Sequence, residues 1–203
     1  MTFMNMLLEV LTPSQKHLTW LLVLSMLAGT LSSCAYFNTF YNARTNFKEA
    51  EKKRVARGGE TIPKTITDQY QKVIEKGYKV ITKYPKSKYV LESYYLIGQS
   101  LYYRPEFTEA QAIFRILLDN VDPTYHFAAN YWLAMCKWKT GIIQPAINEL
   151  TNLSNSPENE DFEVQIFLAL ADIHIEMNDR EKSINALEKA AESAKTQSEK
   201  GSI

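Results

Sequence analysis

The sequence predicts an all-α protein, a solenoid of stacked helix hairpins, from three observations. Small residues recur at Gly98, Ala134 and Ala171, spaced 36 and 37 positions apart. Twelve positions after each stands a second small residue, Ala110, Ala146 or Ser183, and four beyond that a bulky one, Phe114, Leu150 or Leu187. Between the two small residues of each unit lie Pro105, Gly141 and Asn178, where one helix must stop and another begin. A small residue in the middle of the first helix lets the second approach closely, and the bulky residue fills the space between units.

The elements follow in chain order. The apolar run Leu18–Leu27 is too short to cross a bilayer as a helix of about 20 residues, but has the length of a signal-peptide core. Lys16 and His17 precede it and Leu31, Ser32, Ser33 and Cys34 end it, so residues 1–33 read as a removable leader, with Met4 and Met6 as alternative initiators. From Tyr36 to about Arg57, Tyr36, Phe40, Ala43, Phe47 and Ala50 form one helical stripe opposite a charged face. The stripe is expected to pack in a core, although Tyr36, Phe37, Phe40 and Tyr41 also suit a membrane interface. Gly58, Gly59 and Pro63 mark a loop. A second helix is expected over Thr65–Lys83, with Tyr70, Ile74, Tyr78 and Ile81 on one side. Helix pairs then run near Tyr89–Tyr103 with Thr108–Asn120, Tyr125–Lys139 with Ile143–Ser154, and Phe162–Met177 with Arg180–Lys195. Turn chemistry at Asn120–Pro123 and Ser154–Glu158 separates them. The predicted units are a diverged first helix pair over 34–86 and repeats over 87–122, 123–158 and 159–198, and a further repeat, a capping helix or another protein is expected to cover the last.

Charge excludes one class of partner. The chain of 203 residues carries 23 basic and 23 acidic residues, and removing residues 1–33 leaves 170 residues with 22 of each. Phosphate binding needs a clustered basic surface, so nucleic acid is not an expected partner. Nor does an enzyme's convergent set appear. No glycine-rich phosphate loop and no Cys and His cluster with metal spacing is present, so no catalytic residue, metal site or small-molecule substrate is expected. Cys136 reads as a core thiol, His126 as exposed, and the acidic run Glu158–Asp161 as a solvated turn.

Two resemblances refine this. The repeat resembles the tetratricopeptide repeat, a helix hairpin of about 34 residues with small residues at its eighth and twentieth positions. That implies a right-handed α-solenoid. Tyr94 and Phe167 match the fourth-position aromatic, while Asn130 and Ser183 depart from the pattern. His174 stands where the repeat carries a packing tyrosine, which implies a packed histidine. The ending at Leu31–Cys34 resembles the lipobox of bacterial lipoproteins, which implies a covalent lipid such as palmitate on Cys34 and no other cofactor. Ala35 in place of Asp implies sorting to the outer membrane. Lipobox, repeats and the Tyr84, Pro85, Tyr89 and Tyr94 arrangement together resemble the tetratricopeptide lipoproteins of Gram-negative envelopes, among them the BamD-like family of β-barrel assembly lipoproteins.

In such arrays the first helix of each hairpin lines the concave side. The resemblance places there Glu92, Tyr95, Gln99, Tyr102 and Tyr103, then Ala128, Tyr131, Met135, Trp138 and Lys139, then Gln165, Leu168, Asp172, Ile175 and Glu176. Tyr95, Tyr131 and Trp138 are the expected anchors of a partner-binding groove, joined by Tyr102 and Met135, with Gln99 and Asp172 setting polar register. Packing between adjacent repeats is the alternative use of these side chains. The expected function is a non-enzymatic, lipid-anchored periplasmic scaffold for envelope proteins, in outer-membrane protein assembly. The alternative is an accessory that recruits or regulates peptidoglycan enzymes.

Overall fold

The computed structural model describes residues 37–58 and 61–200, with side chains through 195. The expected leader and Cys34 lie outside the described residues. Helix α1 spans residues 37–55, followed by α2 (Lys64–Lys83), α3 (Val90–Tyr102), α4 (Phe107–Leu118), a 3₁₀ turn at Pro123–Tyr125, α5 (His126–Lys139), α6 (Ile143–Ser154), α7 (Glu163–Glu176) and α8 (Arg180–Lys200). From α2 onward each helix packs on the next, and the first helices of successive hairpins, α3 on α5 and α5 on α7, also touch. The result is an all-α solenoid of tetratricopeptide-type hairpins. Among the described residues no helix is long and apolar enough to cross a membrane.

The notch that the sequence pattern requires is visible at Gly98. A Cβ there would lie 2.6 Å from the Phe114 ring, so the close approach of α3 and α4 depends on its absence. Gly77 on α2 makes a second such notch, where a Cβ would lie 2.7 Å from Ile97. Ala134 and Ala171 hold the equivalent places in the later hairpins, fully buried. The turns inside the hairpins are one turn used three times. Glu106, Ile142 and Asp179 each donate a backbone N–H to the carbonyl five residues back, at Leu101, Lys137 and His174. Gly141 and Asn178 take positive φ there, +83° and +58°, in keeping with their residue types.

Three expectations are corrected. Tyr78 is exposed, because the buried face of α2 runs through Ile66, Tyr70, Val73, Ile74, Gly77 and Val80 instead. His126 is half-buried rather than exposed, its Nε2 2.9 Å from the Asn120 carbonyl oxygen. Leu187 does not fill an inter-hairpin space as Phe114 and Leu150 do. It stays 43% exposed, since no helix among the described residues lies beyond α8.

Candidate functional site: the concave face

The concave face is organised by an aromatic network that joins α1 to α5. At its start, Arg54 donates twice to Glu51, at 3.0 and 2.7 Å, and stacks its guanidinium 4.1 Å from the Tyr103 ring centroid. Tyr70 donates its hydroxyl to the same Glu51 and stacks on Tyr103 at 5.3 Å. Trp132 on α5 is the hub. It lies edge-on to Tyr102 (5.0 Å), Tyr103 (5.7 Å) and Tyr131 (5.3 Å) and stacks on Phe114 (6.1 Å). Its Nε1 donates to the Tyr95 hydroxyl at 3.3 Å, which also accepts from Gln99 Nε2 at 3.3 Å. Tyr131 continues the row to Phe162 at 5.2 Å.

This network decides how the expected groove residues are placed. Tyr102, Tyr131, Met135 and Trp138 are only 8, 6, 9 and 5% exposed, so they pack between first helices. Tyr95 and Gln99 are half-buried, and Asp172 is exposed. Trp138 still reaches the next hairpin, donating from Nε1 to Glu176 Oε2 at 2.7 Å while Lys139 sits over its ring and 3.7 Å from Glu176 Oε1. On α7 the row opens to solvent. Gln165, Leu168, Asp172, Ile175 and Glu176 are all exposed, and Leu168 and Ile175 are apolar. Spaced four and three residues apart, Leu168, Asp172 and Ile175 share one helix face.

Electrostatics keep the floor neutral. Burial raises the Tyr95, Tyr102, Tyr103 and Tyr131 phenols above their ordinary value, and Tyr125 is pushed up to about 12, so all remain protonated and act as hydrogen-bonding groups. Burial likewise pushes the Cys136 thiol up to about 12, leaving no thiolate for chemistry. Partial burial raises the Asp172 carboxyl, Lys139 opposing and Glu176 adding to the shift. Among the described residues no group of His, Cys, Asp and Glu is placed to hold a metal ion.

A separate cleft of about 290 Å³ opens between α6, α7 and α8, lined in part by Phe167, Leu170, His174, Lys182, Asn185 and Lys189. His174 is buried there as the repeat pattern implies, but its Nδ1 finds no hydrogen-bond partner among the described residues. Two features of the concave face escaped the sequence pattern. Trp132 falls outside the expected concave positions and Glu51 and Arg54 lie on an unrepeated helix, so periodicity alone pointed to none of them.

Stacked hairpins with a notch in each first helix and a continuous row of first helices give the chain a tetratricopeptide-type architecture, a fold suited to protein–protein interaction. The family model described as "Tetratricopeptide repeat" matches residues 164–197, the hairpin of α7 and α8. Among solved structures, the chain is similar to one described as "MamA RS-1 ArsTM double mutant", with TM-score 0.49 and 14% identity over 77% of this chain and 96% of that one. It is also similar to "MamA MSR-1 C2", with TM-score 0.46 and 13% identity over 79% of this chain and 98% of that one. No curated protein matches.

Proposed function

We propose that the chain is a lipid-anchored scaffold on the periplasmic face of the outer membrane, acylated at Cys34, that binds an extended or helical segment of another envelope protein. A role in outer-membrane protein assembly, as in BamD-like lipoproteins, is its concrete form. The observation that carries the binding role is the exposed α7 row at the end of a filled concave floor. Leu168 and Ile175 offer apolar contact beside Asp172 and Glu176, a mixture suited to a peptide with apolar anchors and a basic or amide group. Tyr95 and Gln99 extend this surface, while Tyr102, Tyr131, Met135 and Trp138 shape and stiffen its floor.

The test follows from that division. Replacing Leu168 and Ile175 with serine removes only exposed side chains, so helicity is expected to stay unchanged while recovery of a co-purifying envelope protein falls at least tenfold. Unchanged recovery would count against the groove. Cross-linking in cells and identification of the attached protein separates barrel assembly from peptidoglycan service. For the anchor, intact mass of the purified chain is expected to show cleavage before Cys34 and added acyl groups. A Cys34→Ser chain that matures and holds the membrane as before would overturn the lipoprotein reading.

A further inference from the structure

The start of α1 divides its aromatic residues between two environments. Phe40 is buried at 2% exposure, packed with Val73, Val80 and Leu96, and stacks on Tyr89 at 4.3 Å. Phe37 and Tyr41 point outward instead, 52 and 56% exposed, and stack on each other at 6.1 Å. Phe37 also lies 6.5 Å from Tyr89, which closes the turn between α2 and α3. That turn, Lys83–Tyr89, carries Lys83, Lys86 and Lys88, all exposed, with the Lys88 ammonium 5.2 Å from the Tyr89 ring centroid. An exposed aromatic pair and a lysine-bearing turn therefore share one end of the molecule.

We propose that this end, formed by Phe37, Tyr41 and the Lys86 and Lys88 side chains, is a membrane-contact surface that lies in the headgroup layer of an anionic bilayer. The proposal rests on acylation of Cys34, and chain length supplies the link. Two residues, Ala35 and Tyr36, separate Cys34 from Phe37, and the three steps reach at most about 11 Å, so a lipid on that cysteine brings the aromatic pair to the bilayer surface. Tyr and Phe rings with an apolar body and a polar surround suit the interface, and lysines beside them meet anionic headgroups. The acyl chains already suffice for attachment, so the patch serves orientation: it sets which surface of the hairpin stack faces the lipid.

Photolabelling tests this. The purified full-length chain is bound to vesicles of phosphatidylethanolamine and phosphatidylglycerol containing a lipid with a diazirine near its headgroup, then irradiated, and adducts are mapped by mass spectrometry. Adducts are expected over residues 37–41 and 84–89 at five times or more the yield at Ile116 and Leu187, which are comparably exposed elsewhere. Phe37→Ser with Tyr41→Ser should cut labelling of 84–89 by at least threefold with helicity and the mass added by acylation unchanged. Labelling of 37–41 no stronger than at Ile116 and Leu187, or unaffected by the double substitution at 84–89, would overturn the proposal. The intact mass of the same sample reports acylation separately. An unacylated chain that still labels at 37–41 keeps the surface and loses the anchor, and an acylated chain that does not label there does the reverse.

Discussion

The hairpins from α2 to α5 and the hairpin of α7 and α8 are built on one repeat but filled differently. All twelve tyrosines of the chain lie at or before position 131, and the rings of Tyr70, Tyr102, Tyr103 and Tyr131, with Trp132, close the concave side of the early hairpins. The last hairpin is packed by Ile166, Ala169, Leu170, Ala171, Ile173, Ala186 and Ala190, and leaves Leu168, Ile175, Met177, Ile184 and Leu187 open to solvent. The comparison teaches that a groove position in a repeat is not by itself a binding residue. Where another first helix follows, as beyond α3 and α5, side chains at these positions are consumed in packing; on α7, beyond which no first helix follows among the described residues, the face stays open to a partner.

Alkali should expose the largest difference. Each shifted tyrosine holds its proton more tightly folded than unfolded, so its contribution is present in full below about pH 10 and is lost as pH rises toward the shifted values. Summed over the network, this loss is expected to exceed that of any single substitution and to unfold the early hairpins first, as followed by tyrosinate absorbance with circular dichroism. Full tyrosine ionisation at about pH 10 with helicity retained would show the network to be less buried than described.

Next in size is Trp132→Ala, which removes the hub and is expected to cost about 3–5 kcal/mol in denaturant unfolding. Leu187→Ala on the open face should cost less than about 1 kcal/mol. Equal losses would erase the comparison. Gly98→Ala should follow at about 1–2 kcal/mol, because the buried Phe114 ring must yield to the new methyl group despite the better helix propensity of alanine. A gain in stability there would mean that the notch is not tight. Smallest is His174→Phe in the last hairpin, expected to raise stability by up to about 1 kcal/mol by removing a buried nitrogen that lacks a partner. A loss would show that Nδ1 is hydrogen-bonded to water or a ligand in the cleft.

The fold was legible in the sequence because its cause is periodic. Gly98, Ala134 and Ala171 sit in the notches where their spacing placed them, and Gly141 and Asn178 form equivalent turns. The site was legible only as a row of positions. Whether Tyr131 faces a partner or the next helix depends on Phe162, Trp132 and the rise between hairpins, none of which a single repeat encodes. Arg54 and Glu51 reach Tyr103 and Tyr70 from a helix outside the repeat, which no register could foresee. At α1 the helical stripe correctly placed Phe40 and Ala43 in the core, while Phe37 and Tyr41, which fall off that stripe, lie on the solvent side of the same helix.

The division between a filled body and an open end is tested most directly by native-state hydrogen exchange, resolved by helix. Amides of α3 and α5 are expected to open only with global unfolding, and those of α7 and α8 through a local opening at least about 2 kcal/mol easier, a thirtyfold difference in protection. Equal protection of α7 and α5, or stronger protection of α7, would contradict the account.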